Sequence, residues 1–406
     1  AASGARFSNM IAASSWTLPS IMSMFTSQPP IVHGVNDFSR KLSPQIPMLA
    51  ELLQKAGYQC AGFTSNPVAN AKHGFGRGFL PYDDYTVPLS CDLDLFDDHS
   101  GKGFVHSNPT SSVVTRLGLQ WLETKRRENT PFFLYLHYFD PHLDYSPPAP
   151  YDRRFTDPAY TGTENGREIY GREIFLQNKA DRQQLIDLYD GEIAYTDEHV
   201  GAFITRFDAL GLDKTSLILA VSDHGEEFWD HGGMLHGHSL FDELIHVPML
   251  MRWPGKIAPG TVVHEQVANI DLMPTLLAAA NISAPPTCTG SNFLPLARGK
   301  KIKEWRRETY AETKTNGKDL CCIRTNQGKI VFDLATSTTH VFDLAGDPLE
   351  KNDLQSKLPE WHGELTQEFN RWLEKLRKNS DEAPEETRVG LDARTIEQLR
   401  SMGYLH

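Results

Sequence analysis

The chain has 406 residues with 40% apolar content, which is enough to bury a substantial core and more than one minimal domain needs. Its formal net charge of -12 excludes a broad nucleic-acid or anionic-membrane surface, because phosphate-rich partners attract Lys and Arg and repel an acidic protein. No apolar run reaches the roughly 18 residues of a membrane-crossing helix, and the five cysteines, without CxxC or Cys/His spacing, support neither a zinc ribbon nor a disulfide framework.

Residues 1–9 begin without Met and run into an apolar, Ser-rich segment, so the sequence is expected to open inside a domain. Thr17-Leu18-Pro19-Ser20 then opens a helix through Met22, Met24 and Phe25, with Pro tolerated only in the first turn. Ser43-Pro44, Leu49, Leu52, Leu53 and Gly57 predict a short helix with an N-cap, a first-turn Pro, one apolar face and a terminal Gly. Residues 59–64 read as a strand ending in Ser65-Asn66-Pro67, and the Gly- and Asp-rich stretch 72–107 as a long surface excursion.

Val113, Val114, Leu117, Trp121 and Leu122 mark the next helix, and the apolar run 132–137 reads as a buried strand. Helical spacing over 179–210 ends at Gly211, and 217–221 reads as a second buried strand. This alternation predicts an α/β fold: a mostly parallel sheet covered on both faces by helices. Beyond Pro285-Pro286 the stretches 309–312, 320–325, 329–334 and 340–344 look like short strands between tight turns, followed by a helix at 360–378. The expected organisation is a main α/β domain over 1–285, a small antiparallel subdomain over 286–380, and an acidic linker with a terminal helix over 381–406.

Four polar clusters fall just after predicted strands or at a helix start: Thr17, Asn66, His142 and Asp223-His224. In open α/β sheets the ligand crevice lies beyond the carboxyl ends of the strands, so groups distant in sequence converge there. Ser222-Asp223-His224-Gly225 presents a hard oxygen and a borderline nitrogen suited to a divalent metal, with Gly225 letting the backbone turn away from the ion. The plainer reading makes Asp223 a helix cap and His224 a surface imidazole, against which stands the density of Asp230, His231, His236 and His238 nearby. Thr17 is either an ordinary N-cap or a hydroxyl nucleophile at a helix terminus, where free N–H groups and the dipole stabilise an oxyanion. Asp140-Pro141-His142 is either a surface turn or a loop that binds an anionic oxygen and protonates a leaving group.

Taken together these residues resemble the sulfatase family of the alkaline phosphatase superfamily. The likeness runs through Arg6-Phe7-Ser8-Asn9 with Thr17-Leu18-Pro19-Ser20, Pro131-Phe132-Phe133-Leu134 with Asp140-Pro141-His142, Tyr189-Asp190-Gly191-Glu192-Ile193, Ser222-Asp223-His224-Gly225-Glu226, and His236-Gly237-His238-Ser239-Leu240. Towards the end it includes Val341-Phe342-Asp343-Leu344, Asp347-Pro348 and the closing Leu399-Arg400-Ser401-Met402-Gly403-Tyr404. The resemblance implies an alkaline-phosphatase-like fold and an ester hydrolase whose nucleophile, Thr17, forms a covalent intermediate beside one or two divalent metals, with Ca, Mn and Zn all compatible. Asp223, His224 and Thr17 take metal positions by that matching. His142 and His236 take catalytic positions, Asn66 and His238 substrate-binding ones, and the substrate is a small anionic ester. An exported or periplasmic location goes with the family.

Two departures shape the expectation. True sulfatases carry Cys or Ser within C/S-x-P-x-R for conversion to formylglycine, whereas Thr17, Pro19 and Ile21 stand here, so no formylglycine is expected and the hydroxyl itself attacks, as in the phosphoesterase and phosphotransferase branches. The family's Asp-rich first strand lies well before the nucleophile and does not fit ahead of Thr17, so an amino-terminal segment with half the metal ligands is expected to be missing, with weak metal binding and little activity by the chain alone. A non-catalytic, sulfatase-like scaffold for anionic glycans or a protein is the competing class.

Overall fold

The computed structural model describes residues 2–84, 110–167, 169, 176, 178–306, 308–315, 317–380 and 387–388. In chain order the principal elements are β1 (Ala5–Ile11), α1 (Thr17–Thr26), α2 (Leu49–Lys55), β2 (Gln59–Thr64), β3 (Tyr82–Asp83), α3 (Ser111–Thr124), β4 (Phe132–His137), α4 (Lys179–Ala209), β5 (Ile218–Val221), β6 (His246–Arg252), β7 (Thr261–Val263), β8 (Val267–Ala268), α5 (Leu272–Ala279), β9 (Thr309–Thr315), β10 (Lys318–Arg324), β11 (Lys329–Asp333), β12 (Thr338–Phe342) and α6 (His362–Ser380). The described residues of Ala1–Leu52 and Leu212–Val389 form one compact unit and those of Leu53–Gly211 another.

In the first unit β1 lies inside a mixed sheet. It runs parallel to β7 and β8 and antiparallel to β6, which in turn runs antiparallel to β5. Alternation along β6 sends Val247, Met249 and Met251 into a core shared with Phe7, Met10, Leu272 and Phe293, and Phe7 meets Phe293 edge to face at 5.1 Å. β9 to β12 form the expected antiparallel sheet, and α6 seats Leu365 and Phe369 on Ile323, Ile330 and Val341. The Glu312 N–H donates to Ala13 O at 2.9 Å, which ties this sheet to the chain just before α1.

Beneath α1, His33 is buried with Nε2 3.1 Å from Ser23 Oγ, while its Nδ1 accepts from Val35 N–H at 3.0 Å. Burial drives its pKa down from 6.5 to about 3, although the Pro19 carbonyl opposes this. Below pH 6.5 the unfolded chain therefore takes up a proton that the folded one refuses, and stability falls as pH drops, by up to about 1.4 kcal/mol per unit. His33→Gln is expected to flatten the acid limb of a chemical-denaturation profile; an unchanged slope contradicts it.

The second unit contains a three-stranded parallel sheet in the order β3-β2-β4, with α3 and α4 packed together. Asp140 Oδ2 accepts from Thr110 N–H at 2.9 Å, Ser111 N–H at 2.8 Å and Ser111 Oγ at 2.6 Å, so it caps the start of α3 rather than making a local turn. Asp140→Ala strands these buried donors and is expected to cost about 2–4 kcal/mol in denaturant unfolding; a loss below about 1 kcal/mol contradicts the capping role.

Several expectations need correction. The helix predicted from Ser43-Pro44 begins only at Leu49, because Pro47 cannot lie inside it; Met48 N–H is met by Glu51 Oε2 at 3.1 Å. β4 and β5 have the expected bounds to within a residue, but neither is fully buried. Each ends its sheet among the described residues, and all six residues of β4 are partly exposed. Within 72–84, His73, Phe75 and Phe79 are buried, so this part is no surface excursion, while 85–107 lie outside the described residues. Cys60, Cys288, Cys321 and Cys322 are free thiols; Cys91, the linker 381–386 and the terminal helix also lie outside the described residues. No described helix is long and apolar enough to cross a membrane.

Candidate active site

α1 is buried along all its residues, and Thr17 is its first. Ser20 N–H closes the first turn on Trp16 O at 3.3 Å, so the Thr17 and Leu18 N–H groups stand ahead of the intrahelical ladder and Pro19 has none to offer. Trp16 supplies no side-chain cap and the first turn holds no acidic residue, so no residue of the helix itself offsets the positive end of its dipole beside Thr17. Thr17 is thus a helical residue rather than an N-cap.

Its hydroxyl lies 3.1 Å from Nε2 of His224. Nδ1 of the same ring is 2.8 Å from the Gly225 carbonyl, which only accepts. Nδ1 therefore carries the proton, Nε2 offers its lone pair, and the Thr17 hydroxyl donates to it. Burial lowers the His224 pKa, with the charge of Asp223 opposing, which keeps the ring neutral. Asp223 Oδ2 stands 3.6 Å from Nε2.

The His236 ring lies 4.2 Å from that of His224, with Nδ1 2.9 Å from Glu226 Oε1. Burial disfavours its cation, yet the charge and hydrogen bond of Glu226, with the charge of Asp223, raise its pKa above the ordinary value. Two adjacent imidazoles are thus driven apart, one towards a base and the other towards an acid.

Three supports went unread in the sequence. Ser20 Oγ donates to Asp223 O at 2.5 Å, and Asn269 Nδ2 donates to Ser20 Oγ at 2.9 Å while its Oδ1 accepts from Ala13 N–H at 3.0 Å. Glu226 orients His236. A Cβ on Gly225 would come within 1.9 Å of Glu243 O, so glycine is required there by a neighbouring carbonyl rather than by an ion.

The remaining predicted residues have contacts of their own. His238 Nε2 is held 2.6 Å from the buried Glu227 carboxylate, and its described contacts include none of Thr17, Asp223, His224 or His236. His231 pairs with Glu243 at 2.6 Å and stacks on Phe241, so it is a structural member of the His-rich stretch. Asn66 and His142 belong to the second unit, each just past the carboxyl end of β2 or β4. Asn66 Oδ1 accepts from Val68 N–H at 2.8 Å. The His142 ring stacks on Phe139 at 4.1 Å, and its Nδ1 donates to Leu143 O at 2.8 Å.

Carboxylate, neutral imidazole and hydroxyl are suitable donors for a divalent ion, and the carbonyl-bound Nδ1 of His224 leaves Nε2 in its ligating form. Among the described residues no group of three or more His, Cys, Asp or Glu side chains is placed to hold a metal, so Asp223 and His224 fit part of a coordination shell.

The mixed sheet flanked by helices is a fold shared with solved sulfatases and phosphonate monoester hydrolases. The chain belongs to the sulfatase family: the Sulfatase model matches residues 1–282, and the model for "N-sulphoglucosamine sulphohydrolase, C-terminal" matches 230–379. Sulfatases generally use a divalent metal. The N-acetylglucosamine-6-O-sulfatase of Bacteroides thetaiotaomicron is 22% identical over 94% of this chain and 82% of its own. A protein solved with its substrate, D-glucosamine-2-N,6-O-disulfate, shares the fold with a TM-score of 0.74 at 19% identity, covering 95% of this chain and 93% of that one. The phosphonate monoester hydrolase of Agrobacterium radiobacter gives 0.73 at 20% identity, covering 93% and 89%.

Proposed function

We propose that the chain hydrolyses a sulfate or phosphate ester through a covalent intermediate on Thr17. The contact of Thr17 Oγ1 with Nε2 of His224 at 3.1 Å carries this reading. His224 accepts the hydroxyl proton as Oγ1 forms a bond to sulfur or phosphorus and the ester oxygen leaves. The Thr17 and Leu18 N–H groups and the α1 dipole stabilise the charge that develops on the non-bridging oxygens. His236, whose pKa Glu226 raises, donates its proton to the leaving oxygen, and water then releases sulfate or phosphate from Thr17. With a divalent ion held by Asp223 and by His224 Nε2, that lone pair would be occupied, and Lewis acidity would acidify the Thr17 hydroxyl in place of the His224 base.

Threonine cannot become formylglycine, which favours phosphoester chemistry; the names of the relatives favour sulfated sugars as the first substrates to try. A small anionic ester rather than a nucleic acid suits this site, and an exported or periplasmic location goes with the reading and is tested by cell fractionation. Full-length protein, supplied with Ca, Mn or Zn, is to be assayed on aryl sulfates, phosphate monoesters, diesters and phosphonates. Turnover of at least one ester is expected. Inactivity on all of them moves the assignment to a binding scaffold.

A further inference from the structure

Two hydrogen bonds join the first turn of α1 to the segment that carries Asp223 and His224. One is the contact of Thr17 Oγ1 with Nε2 of His224 at 3.1 Å, and the other runs from Ser20 Oγ to the Asp223 carbonyl at 2.5 Å. Ser20 lies about one helical turn beyond Thr17, so both side chains leave the same face of α1. The first contact is given up when the hydroxyl attacks, whereas the second joins groups that take no part in bond making.

The second contact has a fixed polarity. Asn269 Oδ1 takes the Ala13 N–H at 3.0 Å, and a backbone N–H only donates, so Nδ2 is the end that faces Ser20. Nδ2 donates to the Ser20 carbonyl at 3.2 Å and to Ser20 Oγ at 2.9 Å. The serine proton is left for the Asp223 carbonyl, which can only accept. Donation thus runs one way, from Asn269 through Ser20 to Asp223. Asn269 and Ser20 are both fully buried, so water does not compete for these bonds. Asn269 is itself anchored in the one-turn helix Asn269–Asp271, where Asp271 Oδ2 accepts from Ala268 N–H at 2.8 Å and Oδ1 from Ser291 N–H at 2.6 Å.

A side chain set on a fixed turn therefore grips the backbone on both sides of Thr17, at Ala13 before it and at Ser20 after it. Accordingly, we propose that Asn269, acting through Ser20, is a positioning residue that keeps the Thr17 hydroxyl in reach of His224. Without this relay α1 keeps its own ladder, but its first turn is free to shift against the Asp223 carbonyl, and a misplacement of about 1 Å costs about a hundredfold in rate. The effect on rate rests on the hydrolase reading; the effect on geometry does not.

Steady-state kinetics of full-length Ser20→Ala, Asn269→Ala and the double variant, with crystal structures of the two single variants, test this. Ala is a better helix former than Ser, so Ser20→Ala cuts the relay without weakening α1. Each single variant is expected to lower kcat about tenfold or more with KM within about twofold of wild type, the split of a group that matters only in the transition state. The double variant is expected to fall no more than about twofold below the weaker single one, because both substitutions break one relay. In both crystal structures the Thr17 Oγ1 to His224 Nε2 separation is expected to open beyond about 3.5 Å, out of hydrogen-bond range. A wild type that turns over no ester defeats the hydrolase reading alone, and the crystal structures then decide. Should Asn269→Ala fail to fold, Ser20→Ala decides by itself. Unchanged kcat in the single variants, losses that multiply in the double variant, or a Thr17–His224 contact retained in both structures overturns the proposal.

Discussion

Thr17→Ala is expected to lower kcat by at least about a thousandfold on any ester the protein turns over. The hydroxyl is the only part of this side chain for which a reacting role is argued, and its hydrogen bond to His224 Nε2 is part-buried rather than central to the core. Deleting it removes the atom that forms the new bond, whereas a spectator hydroxyl would cost little. Thr17→Ser keeps an oxygen at the same position and is expected to retain most activity, while both variants should unfold within about 1 kcal/mol of wild type. If Thr17→Ala keeps a kcat near that of the parent, another group attacks, and the contact with His224 is no more than a structural hydrogen bond.

The second large effect falls on stability. Lys329 is completely buried, with Nζ 2.8 Å from Leu240 O, 2.9 Å from Asp242 Oδ1 and 2.6 Å from Glu350 Oε1. Arg324 adds a 2.6 Å pair to the other Asp242 oxygen. Burial opposes the charged form of Lys329, but Asp242 and Glu350 overcome it and raise its pKa. Lys329→Met leaves Glu350 a buried anion without its partner and is expected to cost about 3–5 kcal/mol, lowering Tm by roughly 6 °C or more. The deficit should narrow as the solution is acidified. Burial already holds the Glu350 pKa above its ordinary value despite Lys329, and a proton on that carboxyl removes the unpaired charge. A loss below about 1 kcal/mol, or one independent of pH, would contradict this account. Because Asp242 opens the short helix Asp242–Ile245, whose Leu244 carbonyl receives Gly225 N–H, the network also steadies the loop that carries Asp223 and His224.

Legibility in the sequence followed the range of the forces involved. β4 was readable because a nearly unbroken apolar stretch of strand length leaves few alternatives, β2 because Gly57 and Ser65-Asn66-Pro67 bound a short segment, and Gly211 marked the end of α4 for local backbone reasons. β1 was not readable. Arg6, Ser8 and Asn9 interrupt its pattern, and it is a strand because β6 lies on one side and β7 and β8 on the other. Burial of β4 and β5 was misjudged for the same reason, since composition reports apolarity and not whether a strand ends its sheet. In the site, Thr17, Asp223 and His224 were found through motif order. His236 and His238 carried identical local signals and were separated only by which carboxylate each met, Glu226 or Glu227. Asn269 had no sequence signal, because its partner Ser20 lies 249 residues away and is chosen by the packed fold.

The central claim is that Thr17 is the attacking group, and trapping the covalent intermediate tests it most directly. Full-length protein is to be quenched in acid during steady-state turnover of whichever aryl ester it hydrolyses, then digested and read by mass spectrometry. The predicted result is a sulfuryl or phosphoryl group on the peptide containing Thr17, absent before substrate is added. Steady turnover with that peptide unmodified, or with the group on another residue, would contradict the account.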